Sequence, residues 1–218
     1  MINSKKQMEN KKLLKVYVVG SAKYYADFIR DCELVDKLED AKLVVFTGGE
    51  DVTPSLYGCE KHRTTYNNPK RDEAEVKVFK QIRPDQVVLG ICRGSQFLCS
   101  MNGGILVQNC NNHAIGRTHA ITNGELEYQI TSTHHQMQYP FNLKKDDYEM
   151  LYWAQHLSEK YEGDKVIPNK ILETGEPEIV LYHKKDMPKC LAVQGHPEMI
   201  PNSPVASMIN RLIEELCA

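Results

Sequence analysis

Short apolar runs and segments of helical period alternate along the first half of the chain. Leu14 to Gly20, with Val16-Tyr17-Val18-Val19 at its centre, predicts a first strand, and residues 22–31 predict a helix. Lys42 to Thr47 predicts a second strand that ends at Gly48-Gly49, and a turn-rich loop follows to about Lys70. Residues 72–83 read as a helix with Val78, Phe79 and Ile82 on one face, broken by Pro84-Asp85. A strand over 86–91, a helix over 93–101 and a strand over Ile105-Leu106-Val107 complete this half. The second half keeps mainly the strand rhythm, with runs at 126–130, 149–154, 178–183 and 190–194. Between two of them, 156–176 is polar and predicts an insertion, a flap or lobe. Ser203-Pro204 is an N-cap and N1 pair, and Val205, Met208, Ile209, Leu212, Ile213 and Leu216 form one helical stripe behind it. Alternating strands and helices imply an α/β fold, a mostly parallel central sheet with helices on both faces. The later strand runs imply a small antiparallel region. Sites in such sheets lie at the carboxyl ends of strands.

One of those ends carries Gly90-Ile91-Cys92-Arg93-Gly94-Ser95-Gln96. A small residue two before and two after a nucleophile, between strand and helix, describes a nucleophile elbow. Gly90 and Gly94 leave room where the turn crowds the backbone. The helix N-terminus favours a thiolate and a developing oxyanion. A nucleophile needs a base, and the base an orienting group. Val193-Gln194-Gly195-His196-Pro197-Glu198 supplies both just after another strand. In extended chain Glu198 points to the same side as His196 and can fix its tautomer. The competing readings are a buried structural cysteine beside a tight turn and a surface His and Glu. Finding both segments at strand ends favours catalysis.

Together these segments resemble the class I (triad-type) glutamine amidotransferases. Thr47-Gly48-Gly49-Glu50-Asp51-Val52-Thr53-Pro54-Ser55-Leu56-Tyr57-Gly58 is similar to the γ-glutamyl hydrolase-like branch, which includes γ-glutamyl-GABA hydrolases. Pro69-Lys70-Arg71-Asp72-Glu73-Ala74-Glu75 and Ser132-Thr133-His134-His135-Gln136 resemble segments of the same branch, so the likeness runs from about Leu14 to Glu198. It implies attack of Cys92 on a γ-glutamyl amide, with His196 as base and Glu198 as its partner. It implies an oxyanion hole made by the backbone N–H groups of Gly49 and Arg93. It places Gln96, Ser132 and His134 near the substrate, with His134 favoured over His135. Arg71 and Asp72 are expected to brace the long loop as a helix-start ion pair. Two positions depart from the pattern. Gly195 stands where an aromatic residue is usual, which implies a packing gap beside the base, and Thr131 stands where Asn is usual.

With 218 residues the chain suits one domain, expected over 13–218 behind a flexible polar arm at 1–12. A net charge of −2 gives no reason to expect nucleic acid or an anionic membrane, and no run approaches the ~18 apolar residues of a membrane span. Seven irregularly spaced cysteines argue against a disulfide framework and suit a reducing cytoplasm. Cys110-Asn111-Asn112-His113 with His119 has a loosely metal-like spacing but no clear fourth ligand, so no metal and no other cofactor is expected. The expected ligand is a small γ-glutamyl compound such as glutamine. Three functions remain: a glutaminase component feeding ammonia to a separate synthetase, a stand-alone γ-glutamyl hydrolase, and a catalytically silent binding module.

Overall fold

The structure is a computed structural model describing residues 13–218, so the arm expected at 1–12 lies outside the described residues. Among the described residues thirteen strands form: β1 (Leu14–Val18), β2 (Cys32–Leu34), β3 (Leu43–Phe46), β4 (Val87–Ile91), β5 (Ile105–Val107), β6 (Asn109–Cys110), β7 (Ala114–Thr122), β8 (Glu127–Thr133), β9 (Met137–Tyr139), β10 (Tyr148–Ala154), β11 (Tyr161–Glu162), β12 (Glu176–Tyr182) and β13 (Lys189–Val193). Four α-helices accompany them: α1 (Pro69–Phe79), α2 (Arg93–Met101), α3 (Pro168–Thr174) and α4 (Pro204–Cys217). Nine strands make one sheet in the order β2-β1-β3-β4-β13-β12-β10-β7-β8. From β2 to β13 every pairing is parallel; from β13 onward every pairing is antiparallel. The antiparallel region thus continues the main sheet, and two small two-stranded sheets, β11-β6 and β5-β9, flank it.

Strand periodicity divides the core in two. Val16, Val18, Leu43, Val45, Leu89, Ile91, Leu191 and Val193 face one side, where α4 packs through Val205, Met208, Ile209 and Ile213. Val44, Phe46, Val88, Cys190 and Ala192 face the other, against Phe79 of α1, Phe97 and Leu98 of α2, and Ile171 of α3. Apolar runs such as Val87-Val88-Leu89 are buried on both faces, as a covered parallel sheet requires.

The predicted helix over 22–31 is replaced by a single 3₁₀ turn, Lys23–Ala26. Its backbone finds partners elsewhere: Asn210 of α4 accepts from the Arg30 N–H and donates to the Phe28 carbonyl. Helix α1 starts earlier than its apolar stripe, because Asn68 caps it by accepting from the Arg71 N–H and Pro69 opens it. The long strand β7 carries few apolar residues, and its first half is exposed. Among the described residues no helix is long and apolar enough to cross a membrane.

Candidate active site

The carboxyl ends of β3, β4 and β13 lie side by side and present Gly48-Gly49, Cys92 and His196 to one another. Cys92 sits between β4 and α2 at φ 53° and ψ −110°, a region that L-residues rarely occupy. Its two glycine neighbours are obligatory. A Cβ on Gly90 would lie 2.5 Å from the Gly94 carbonyl oxygen, and one on Gly94 would strike the Phe46 carbonyl oxygen. At the start of α2 the N–H groups of Arg93 and Gly94 precede the helical ladder, where helix geometry offers no backbone partner.

His196 comes off β13 into a 3₁₀ turn, Pro197–Met199, which swings Glu198 back so that its Oε1 lies 2.6 Å from His196 Nδ1. The pairing therefore arises from a turn and not from extended chain. The Thr131 hydroxyl accepts the His196 backbone N–H at 2.6 Å. Burial lowers the basicity of His196, but hydrogen bonds with Cys92 and Glu198 raise it more, to a pKa of about 10. Cys92 and His196 are nearly enclosed, at 9% and 6% exposure.

The packing gap expected at Gly195 is absent. Ile130 of β8 fills it, so a Cβ there would strike Ile130 and sit 2.8 Å from the Thr131 carbonyl oxygen. Both unusual residues therefore act on His196 through β8: Ile130 occupies the space, and Thr131 holds the backbone.

Gly49 has φ 137°, and a side chain there would strike Arg71. Arg71 Nη2 donates to the carbonyls of Thr47 and Gly48 at 3.1 and 2.9 Å, while its other nitrogens meet Glu50 and Glu75. Asp72 accepts from the Thr53 N–H and pairs with the buried Arg93 side chain, which also pairs with Glu75. Arg71 and Asp72 thus brace the loop, as expected, but through separate partners and not through an ion pair with each other.

The structure also locates the three residues expected near substrate. Gln96 is buried in α2, and its amide donates to the Gln136 carbonyl at 3.0 Å. Ser132 is fully buried and donates to the His113 carbonyl at 2.7 Å. His134 turns inward beside His113, its Nδ1 2.9 Å from the Gln136 carbonyl. His135 points the other way, toward Asp51 at 3.2 Å. Sequence reasoning missed Tyr25, whose ring centroid lies 6.1 Å from that of His196 and whose hydroxyl lies against Gly48. Burial and the charge of Glu198 push its phenol well above the ordinary value. The signal was Tyr24-Tyr25 just past β1, whose carboxyl end neighbours that of β3.

A concavity of about 640 Å³ lies at the opposite, amino end of the strands, between Leu14, Lys42 and Cys217, and takes no part in this arrangement.

The model of the peptidase C26 family matches residues 28–151, more than half of the chain. The chain belongs to the peptidase C26 family. That family is class I glutamine amidotransferase-like. Over 84 residues the chain is 39% identical to a putative glutamine amidotransferase-like protein, the YvdE homolog of Lactococcus lactis subsp. cremoris, a match covering 34% of this chain and 45% of that one. Over 74 residues it is 39% identical to the putative glutamine amidotransferase Rv2859c of Mycobacterium tuberculosis, covering 33% of this chain and 24% of that protein. The matches span less than half the length of either relative. Two solved structures share the family fold. A putative GMP synthase subunit from Thermoplasma acidophilum has a TM-score of 0.58 at 20% identity, with 94% of each chain covered. A glutamine amidotransferase from Thermotoga maritima has a TM-score of 0.51 at 17% identity, covering 93% of this chain and 94% of that one. Peptidase C26 membership supports cysteine-dependent amide hydrolysis as the general class of chemistry.

Proposed function

We propose that this chain hydrolyses the γ-glutamyl amide bond of a small γ-glutamyl amine or of glutamine, through a thioester on Cys92. The observation that carries the reading is the elbow: a cysteine at φ 53° heading a helix, beside a histidine that Glu198 holds at 2.6 Å and whose basicity Cys92 and Glu198 both raise. The Cys92 sulfur attacks the γ-carbonyl carbon while His196 holds the thiol proton. The tetrahedral oxyanion is received by the backbone N–H groups of Gly49 and Arg93; losing one such donor typically costs on the order of 10²–10³ in rate. The C–N bond breaks as His196 gives its proton to the departing amine. Water then attacks the thioester, His196 takes a proton from it, and glutamate leaves as Cys92 is reprotonated.

Glu198 fixes the His196 tautomer and stabilises the imidazolium. Arg71 supports the oxyanion loop by holding the carbonyls on both sides of the Thr47-Gly48 peptide. Because the side chains of Ser132 and His134 are buried, the 132–136 loop meets substrate through its backbone, with Gln96 anchoring it.

The Thr47–Gly58 run favours a stand-alone hydrolase over a glutaminase component. Purified protein is assayed against a panel of γ-glutamyl amides, glutamine included, by release of glutamate and amine. Turnover of γ-glutamyl amines without any partner is expected. Turnover of glutamine alone, stimulated by an added synthetase, would give the glutaminase reading. No release from any member of the panel would leave the silent binding module.

A further inference from the structure

Near the candidate active site, three histidines converge on one carboxylate oxygen, Oε1 of Glu178. His119 on β7 places Nε2 2.8 Å from Glu178 Oε1. His113, just before β7, places Nδ1 3.7 Å from the same oxygen, and His134, after β8, places Nε2 at 3.8 Å. Glu178 and His113 are wholly buried, and His119 and His134 are nearly so.

For His113 and His134, hydrogen bonds on the far side of the ring fix what faces inward, whereas His119 Nδ1 has no partner there. His113 Nε2 meets Glu176 Oε2 at 3.1 Å, so this nitrogen carries the proton and Nδ1 presents a lone pair. His134 Nδ1 donates to the Gln136 carbonyl at 2.9 Å, so its Nε2 also presents a lone pair. Both inward nitrogens lack a hydrogen-bond partner, as does Glu178 Oε2. Two imidazole lone pairs thus point at a buried carboxylate, acceptor against acceptor. Unsatisfied polar groups in such a place are costly, and a cation between them removes the cost.

We propose that His113, His119 and Glu178 form a binding site for a divalent first-row metal ion, Zn²⁺ by their donor set, with His134 Nε2 moving in as the fourth donor. Imidazole and carboxylate donors suit this ion, and bonds of about 2.0–2.2 Å at tetrahedral angles put ligand atoms roughly 3.4 Å apart. The His113–Glu178 separation of 3.7 Å is close to that figure, and the ligand atoms of His113, His119 and Glu178 all lie within 4.8 Å of one another; His134 Nε2, 3.8 Å from Glu178 Oε1, stands beside that group of three. The His119–Glu178 contact must open by roughly half an ångström as the metal replaces its proton. The outer partners are those a metal-bound histidine uses, a carboxylate for His113 and a backbone carbonyl for His134. Cys110, the other half of the metal-like spacing, is not a member; its thiol contacts the His135 carbonyl. Three protein donors within reach of one ion, a fourth beside them and deep burial describe a structural site. It would tie β7, β12 and the 132–136 loop together.

The test uses the full chain carrying Cys92→Ala, so that the catalytic thiol cannot ligate. Metal-stripped protein is titrated with Co²⁺, followed by visible absorption, and with Zn²⁺, followed by Tm. About one Co²⁺ per chain with intense tetrahedral d–d bands, and a rise in Tm with Zn²⁺, are expected. Both signals are expected to vanish in His119→Gln and in Glu178→Gln, with circular dichroism reporting that each variant is folded. His113→Asn replaces either variant that does not fold. Absence of the bands and of the Tm rise in the parent protein would overturn the proposal, because the cluster would then hold protons. Weak octahedral-type absorption that survives the substitutions would overturn it equally, as surface binding.

Discussion

At the residue scale, the site turns on the proton that His196 holds. Glu198 and Cys92 together raise the His196 pKa to about 10 against the opposing effect of burial. His196 keeps its proton through neutral pH and loses it only as pH climbs toward that value. Once it is lost, no acid remains to protonate the leaving amine, so kcat/KM should fall on the alkaline side near 10. Glu198→Gln removes a negative charge from Nδ1, which weakens proton binding and should move that limb down toward neutral pH. A pH–rate profile of the two proteins checks this, and an unmoved or upward-shifted limb would refute the assigned role. This part of the site was legible in the sequence because its constraints are local. Gly90, Cys92 and Gly94 lie within one turn, and His196 and Glu198 lie two residues apart. The buried histidine cluster was not legible. His113 and His119 stood out, but His134 and Glu178 join them only through strand pairing.

At the element scale, α1 and α2 are locked by a charged cluster that no spacing rule would have assembled. Arg93 is 1% exposed and pairs with Asp72 and Glu75, which are themselves buried, while its guanidinium lies 5.2 Å from the Phe97 ring centroid. Arg93 is adjacent to the nucleophile, and Asp72 holds the Thr53 N–H of the first loop. Arg93→Met keeps much of the side-chain volume but leaves two carboxylates buried without their cation. Breaking a buried pair in this way costs about 3–5 kcal/mol. Urea unfolding should report a loss of that size; a loss below about 1 kcal/mol would mean that the cluster is no more than a surface pair. Elements with strong apolar runs, such as β3, β4, β12 and β13, were readable to within a residue or two. Strand β7 was not, because its exposed first half lacks the alternation that marks a strand. The 22–31 segment has helical composition, but Asn210 of α4, far along the chain, takes its backbone groups.

At the scale of the whole molecule, the polar stretch at 156–176 is woven into the fold. Strand β11 pairs with β6, Ile171 is fully buried, and the Tyr161 hydroxyl and the Ser158 N–H both donate to the buried Glu176. Its Asp164 accepts from the Glu60 N–H, and its Lys165 Nζ lies 2.5 Å from the Gly58 carbonyl, so it also steadies the far end of the first loop. Its polar composition predicts an insertion, a flap or lobe. The contacts instead lead us to expect that replacing residues 158–170 with a Gly-Ser turn lowers Tm by at least several degrees, since it removes two of the donors to the buried Glu176 carboxylate and opens the core. An unchanged Tm in a thermal melt would show that these contacts carry no stability. The central claim is that Cys92 carries the glutamyl group. The most direct measurement is an acid quench during steady turnover of the best γ-glutamyl amide, followed by mass mapping of the peptides. A glutamyl adduct on the peptide containing Cys92 is expected, labile to hydroxylamine as a thioester is. Sustained turnover with Cys92 unmodified would contradict the account.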